Sequence, residues 1–341
     1  MSRRLAHLAG ALRPPPAAPR RRPGSLEAGR GGPWPQRSAA IEPTVVTIPS
    51  ARGAPQRATV VAPDGLDDGA ERPLVVSLHT WGGDFTQKDN EDMAEHAAEQ
   101  GWIYIFPDFQ GPNKRPEACG SELVQQNILE AVEWAKANYP VDVNRIYLTG
   151  TSGGGHMTLL MAAKYPEIWA AASAWVGISS LADWHDRHAD DQYGADTRAC
   201  TGGRPGESAA VDEEFRARSP LTFLGSRELA ELDLPLDIAA GIFDGHEGSV
   251  PIRHSIDAFN VVASASGHAT VAEAEIRELS EGAGLGRLSQ PQPSDSEEDA
   301  ALGREIHLRR TAGRARVTIF EGGHEGIGRC AVDWLRRFAK A

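Results

Sequence analysis

Short runs of branched apolar residues recur along the N-terminal third of the chain: TVVTI (44–48), ATVVA (58–62) and PLVVSLH (73–79). The last is continuous rather than alternating, as expected of a strand buried on both faces. EDMAEHAAEQ (91–100) has helical spacing, with Gly101 where a C′ residue is expected. WIYIFP (102–107) predicts another strand. The longest helical stripe lies in SELVQQNILEAVEWAKANY (121–139), where Leu123, Ile128, Val132, Trp134 and Ala135 share a face. Ser121 is its candidate cap, and Pro140 ends it.

The alternation continues downstream. RIYLT (145–149) and WAAASAWVG (169–177) read as strands on either side of a helix, GGGHMTLLMAAKY (153–165). LDIAAGIF (236–243) and ARVTIF (315–320) complete the strands, and CAVDWLRRFAK (330–340) reads as a terminal helix. Such alternation predicts an α/β fold with a mainly parallel sheet and helices on both faces. Two segments break the rhythm. Residues 178–233 are long, polar and irregular, and are expected to form an insertion above the sheet. Residues 280–303, rich in Pro, Ser and acids, are expected to form a mobile surface loop. The sequence has no internal repeat.

Composition adds limits rather than a function. With 341 residues, 40% apolar and 24% charged, the chain is of ordinary globular type and short enough for one α/β domain. Charge is uneven: residues 1–40 hold eight Arg and one Glu, and the whole chain's −12 less this +7 leaves −19. An acidic body argues against nucleic acid as the main partner. No apolar run reaches the roughly 18 residues a membrane helix needs. The Arg- and Pro-rich leader, residues 1–42, is expected to be disordered. Its apolar stretch LAHLAGAL is broken by His7, so there is no clear signal peptide, and a soluble, cytoplasmic protein is expected. Cys119, Cys200 and Cys330 lack metal-ligand spacing; whether Cys119 and Cys200 meet in space cannot be read from sequence.

Chemistry enters at RIYLTGTSGGGHM (145–157). Gly150-Thr151-Ser152-Gly153-Gly154 fits the G-x-S-x-G nucleophile elbow, between a strand and a helix as that motif requires. Glycines at 150 and 154 remove side chains that would collide in the tight turn. The free N–H groups and dipole of the following helix favour an oxyanion, with the Gly153 N–H as first donor. A serine needs a base, expected late in the chain after the last strand, and IFEGGHEGI (319–327) supplies His324. His79, His96, His156, His246 and His254 compete less well on position.

The third member of a triad should follow a strand between the two. LDIAAGIFDGHEGSVP (236–251) offers Asp244, at the strand's end, and Glu247, three residues before Val250-Pro251. Asp244 is preferred on position, with Glu247 the alternative. The second oxyanion donor is expected in LHTWGGDF (78–85), from the N–H of Trp81 or of Thr80. Trp81, Thr151, Trp175 and Gln110 are candidate substrate contacts, and Asn113 shares the position of Gln110 beyond a strand end. His185 and His188 in WHDRHADD (184–191) have a spacing that could hold a metal, but a solvated loop is the preferred reading.

The stretches RIYLTGTSGGGHMTLLMAAKYPEIWAAASAW, DGHEGSVPIRHSIDAFN and VTIFEGGHEGI resemble the α/β-hydrolase superfamily, and more narrowly the prolyl oligopeptidase-like catalytic domain and its esterase relatives. The resemblance covers about residues 70–340, loosely at 178–233 and 260–312, and implies an α/β-hydrolase fold for the domain expected over 43–341, a Ser152–Asp244–His324 triad, and no cofactor or metal. It also implies a small ester or short peptide as substrate. Two departures stand out. His79-Thr80 replaces the family's common His-Gly, and the region before PLVVSLH is too short for a gating propeller. An ester is therefore preferred to a peptide. A non-catalytic binding protein on a hydrolase scaffold is the other class.

Overall fold

The computed structural model describes residues 42–88, 91–281 and 286–340. The expected leader, apart from Glu42, lies outside the described residues. Among the described residues nine strands form one sheet: β1 (Thr44–Ile48), β2 (Gln56–Val61), β3 (Arg72–Leu78), β4 (Ile103–Pro107), β5 (Val141–Thr151), β6 (Ala171–Trp175), β7 (Leu236–Gly241), β8 (Ile306–Ala312) and β9 (Ala315–Phe320). Their order is β1-β2-β4-β3-β5-β6-β7-β9-β8. The run from β4 through β3, β5, β6 and β7 to β9 is parallel; β1, β2 and β8 add antiparallel pairs at the two edges. In a parallel run all C-terminal ends lie on one side, so the residues after β3, β5, β7 and β9 gather along one rim of the sheet.

The central strands are buried along their length, as their unbroken apolar runs require. Helices α1 (Glu91–Glu99) and α10 (Gly328–Leu335) pack on each other and reach the sheet. A second group, α2 (Glu122–Asn138), α3 (Gly153–Lys164) and α8 (Arg253–Ala265), also packs on the sheet: α2 on β4, α3 on β5 and β6, and α8 on β7 and β9. Ser121 caps α2 through the N–H of Val124 at 3.2 Å.

The segment 178–233 is helical, contrary to the irregular structure expected of it. It forms α4 (Leu181–Arg187), α5 (Gln192–Thr201), α6 (Ala209–Arg218) and α7 (Arg227–Leu232). Each helix starts at a side-chain cap, in turn Ser180, Asp191, Ser208 and Ser226. The helices are too short to show apolar periodicity. The first three close over a separate small core of Ile178, Leu181, Trp184, Cys200 and Phe215, joined by Trp81, Cys119 and Val250 from the body, while α7 buries Leu229 in the main core.

The acidic stretch 280–303, outside 282–285, also makes defined contacts. Asp295 is buried and accepts the N–H of Arg309 at 2.7 Å, and Asp299 pairs with the Arg309 guanidinium at 2.9 Å. Those pairs account for β8, which the sequence reading missed: its Arg309 and Arg310 hide a strand pattern, and carboxylates meet the buried Arg309 and the half-buried Arg310. Arg310 pairs with Glu275 at 2.6 Å, in α9 (Glu273–Ser280), and with Asp295.

Two buried histidines give the fold an acid limit. His156 donates through Nε2 to the Arg218 carbonyl at 2.8 Å, and His254 Nδ1 faces the Ser179 N–H at 3.3 Å. Burial lowers both pKa values to about 4. A histidine whose folded pKa lies below its unfolded value of about 6.5 disfavours the proton in the native state. Its contribution is therefore complete above pH 6.5 and is lost as the pH falls toward 4, at about 1.4 kcal/mol per pH unit per histidine. Urea denaturation between pH 7.5 and 4.5 should show this slope, and His254→Asn should make it shallower. An unchanged slope in the variant would contradict the assignment.

Candidate active site

Ser152 stands between the end of β5 and the start of α3 with φ 59° and ψ −115°, a conformation that non-glycine residues rarely adopt. Its N–H donates to the Trp175 carbonyl at 2.9 Å, which ties the turn to the end of β6. Close approach of backbone explains the glycines. A Cβ on Gly154 would lie 2.1 Å from the Leu78 carbonyl oxygen, and one on Gly153 would lie 2.4 Å from the Trp81 nitrogen. The second contact also puts the Trp81 nitrogen against Gly153 at the N-terminus of α3, where a developing negative charge is favoured.

Thr80 has a different role. Its N–H donates to Gln87 Oε1 at 3.0 Å and its hydroxyl to the same atom at 2.9 Å. The N–H is thereby occupied, which leaves Trp81 as the candidate second donor of the two considered. The threonine that replaces a common glycine turns its side chain toward Gln87.

The loops after β7 and β9 bring Asp244 and His324 together. His324 Nδ1 lies 2.8 Å from Asp244 Oδ2. Asp244 is 1% exposed, and its Oδ1 accepts the N–H groups of Gly245 at 2.9 Å and Val250 at 3.0 Å. These bonds hold a buried carboxylate with one oxygen aimed at the imidazole. The carboxylate-facing Nδ1 carries the proton in that pairing, which leaves Nε2 as the basic nitrogen. Glu247 is exposed on the same turn, and it is Asp244 that meets His324.

A cleft of about 410 Å³ is lined by Ser152, His324, Thr80, Trp81, Thr151 and Trp175, together with Met93 and Ile327. His324 and Ser152 share this cleft, with the His324 side chain 25% exposed and Ser152 6%. The other histidines considered have other partners. His79 stacks on Phe109 with centroids 3.7 Å apart, His96 meets Glu99, His156 meets Arg218, and His254 meets Ser179, while His246 is exposed.

The candidate substrate contacts divide. Thr151 and Trp175 line the cleft, Trp175 with its indole N–H donating to Ser173 Oγ at 2.9 Å. Trp81 turns its indole into the insertion's core, where its N–H donates to Asp196 at 3.2 Å and its ring meets Trp184 at 4.6 Å. Gln110 does not line the cleft: its amide is bonded to Asn127 at 2.8 Å and its carbonyl to Arg115. Its position beyond a strand end carried no information about which way the turn would point it. Asn113 supports the candidate oxyanion segment, its N–H donating to the Trp81 carbonyl at 2.9 Å.

His185 and His188 do not converge on a shared site. His188 Nδ1 meets Asp191 at 2.6 Å and its Nε2 meets the Ser249 carbonyl at 2.7 Å, while His185 meets Asp186 and Arg198. The sequence reading missed Tyr193, which α5 places on the cleft wall, and Asp92, whose Oδ2 accepts the Gly328 N–H at 2.9 Å. Neither belongs to a recognisable motif.

With this geometry, comparison with known proteins is specific. The prolyl oligopeptidase family model matches residues 90–229, which contain Ser152 and the insertion. Acetylxylan esterase A of Emericella nidulans is 26% identical over 186 residues, 52% of this chain and 53% of that protein. Feruloyl esterase B of Neurospora crassa is 31% identical over 128 residues, 34% of this chain and 42% of that protein. Among solved structures, the acylaminoacyl peptidase of Pyrococcus horikoshii matches with a TM-score of 0.55 and 18% identity, over 67% of this chain and 36% of that one. The chain thus spans about half the length or less of these curated relatives, and the structural likeness concerns the fold.

The elbow makes a stability prediction that is independent of chemistry. Gly154→Ala must displace the Leu78 backbone, an overpacking expected to cost about 2 kcal/mol or more. Chemical denaturation of the purified variant would measure it. Wild-type stability would contradict the close approach.

Proposed function

We propose that this chain, a member of the α/β-hydrolase superfamily similar to the prolyl oligopeptidase family, is a serine hydrolase that cleaves a carboxylic ester through an acyl-enzyme. The observation that carries the reading is the pairing at the sheet's rim. A serine held at a helix N-terminus shares one cleft with a histidine whose other nitrogen is held by a buried carboxylate.

In this mechanism His324 Nε2 takes the Ser152 proton as Oγ attacks the substrate carbonyl carbon. Asp244 fixes the imidazole's orientation and stabilises its cation. The N–H groups of Gly153 and Trp81 receive the oxyanion. His324 then protonates the departing alcohol, and water attacks the acyl group by the same route. Neither a cofactor nor a metal is needed for these steps.

Esters are preferred to peptides for two reasons. Curated relatives that this chain matches are named as acetylxylan and feruloyl esterases, and the cleft is formed by the insertion and rim loops of the chain itself. Peptide cleavage is the second reading, favoured by the family model.

Ser152→Ala should lower kcat on a short acyl nitrophenyl ester by at least about 10³-fold while leaving the melting temperature near that of wild type. Asp244→Asn should also lower kcat strongly, because it removes the acceptor that selects the imidazole tautomer. Turnover within a few-fold of wild type in the serine variant would overturn the proposal. Parallel assays with acetylated sugars and aminoacyl amides would separate the two substrate classes.

A further inference from the structure

The insertion meets the body at two cysteines. Cys119 lies between β4 and α2, and Cys200 in the last turn of α5; both are buried in the small core that also holds Trp81. The two thiols are free, share that small core, and lie near enough for each to perturb the other's titration. Cys119 is held firmly in place. Its N–H donates to Asn113 Oδ1 at 2.6 Å, its carbonyl accepts from Arg218 Nη1 at 3.2 Å, and its backbone has φ 53°.

Both cysteine-bearing segments also touch the Trp81 segment. Asn113 donates to the Trp81 carbonyl, and Asp196, one turn before Cys200, accepts the Trp81 indole N–H. The thiol pair therefore sits where the insertion and the candidate oxyanion segment are joined. The side chain of Cys119, with Arg218 nearby, lowers the pKa of Cys200, while burial raises that of Cys119.

We propose that Cys119 and Cys200 are an oxidisable dithiol whose disulfide fastens the insertion to the segment between β4 and α2. The oxidant is a low-molecular-weight disulfide. One thiolate of the pair attacks one of its sulfurs, forming a mixed disulfide and expelling one thiolate. The other thiol then loses its proton and attacks the cysteine sulfur of that mixed disulfide, forming the Sγ–Sγ bond and expelling the second thiolate. Two electrons and two protons leave the protein, and the oxidant is reduced to two thiols. Cys330, buried in α10 and set apart from the pair, takes no part.

The test uses the full chain incubated natively with excess glutathione disulfide or with a reductant, then unfolded and alkylated with N-ethylmaleimide. The reduced chain should take up three equivalents, matching its three cysteines, and the oxidised chain one. A non-reducing digest should yield a peptide pair joined through Cys119 and Cys200. Closing a loop of roughly 80 residues should raise the melting temperature by about 5 °C, and Cys200→Ser should show no such rise. Three equivalents in the oxidised chain, or a crosslink through Cys330, would overturn the pairing. A crosslink with no rise in melting temperature would overturn the fastening role. This inference does not depend on the chemistry proposed at Ser152.

Discussion

The close packing of backbone around Ser152 is the constraint on which the rest of the site depends. The turn from β5 into α3 needs a serine in a sparsely populated conformation, and the ends of two other strands hold it there. Leu78 at the end of β3 and the adjacent Trp81 press against the glycines of α3, and Trp175 at the end of β6 accepts the Ser152 N–H. None of these approaches leaves room for a Cβ at Gly153 or Gly154. The conformation is local, but the enforcement is tertiary.

The same rim then supplies the partners. Because β5, β7 and β9 run in parallel, their following loops meet, and Asp244 reaches His324 although 80 residues separate them. The carboxylate is buried, and two backbone N–H groups, one of them from Val250, fix its direction. Val250 also belongs to the insertion's small core. The insertion is thus linked to Asp244 through Val250, and to the candidate oxyanion segment through Trp81 and Asp196. A change in how it packs would be felt at both ends of the cleft.

Much of this was legible in the sequence because the relevant signals are local. The unbroken apolar run of β3, the stripe of α2 and the glycines around Ser152 each identify an element without tertiary knowledge. The order of Ser152, Asp244 and His324 along the chain ranked candidates that spacing alone could not. What was illegible depended on partners distant in sequence. Arg309 and Arg310 disguise β8 until Asp295, Asp299 and Glu275 are seen to meet them. The helices of the insertion are too short for periodicity and declare themselves only through caps such as Asp191 and Ser226. Gln110 and Tyr193 illustrate the same limit at the site: which of them faces the cleft is decided by the course of a loop and of α5.

Reaction of the native chain with a fluorophosphonate, followed by intact mass and peptide mapping, tests most directly whether this packing makes Ser152 a nucleophile. The account predicts one adduct per chain, located on Ser152, formed in the folded protein and lost after unfolding. No adduct in the folded protein, or an adduct on another serine with Ser152 unmodified, would contradict it.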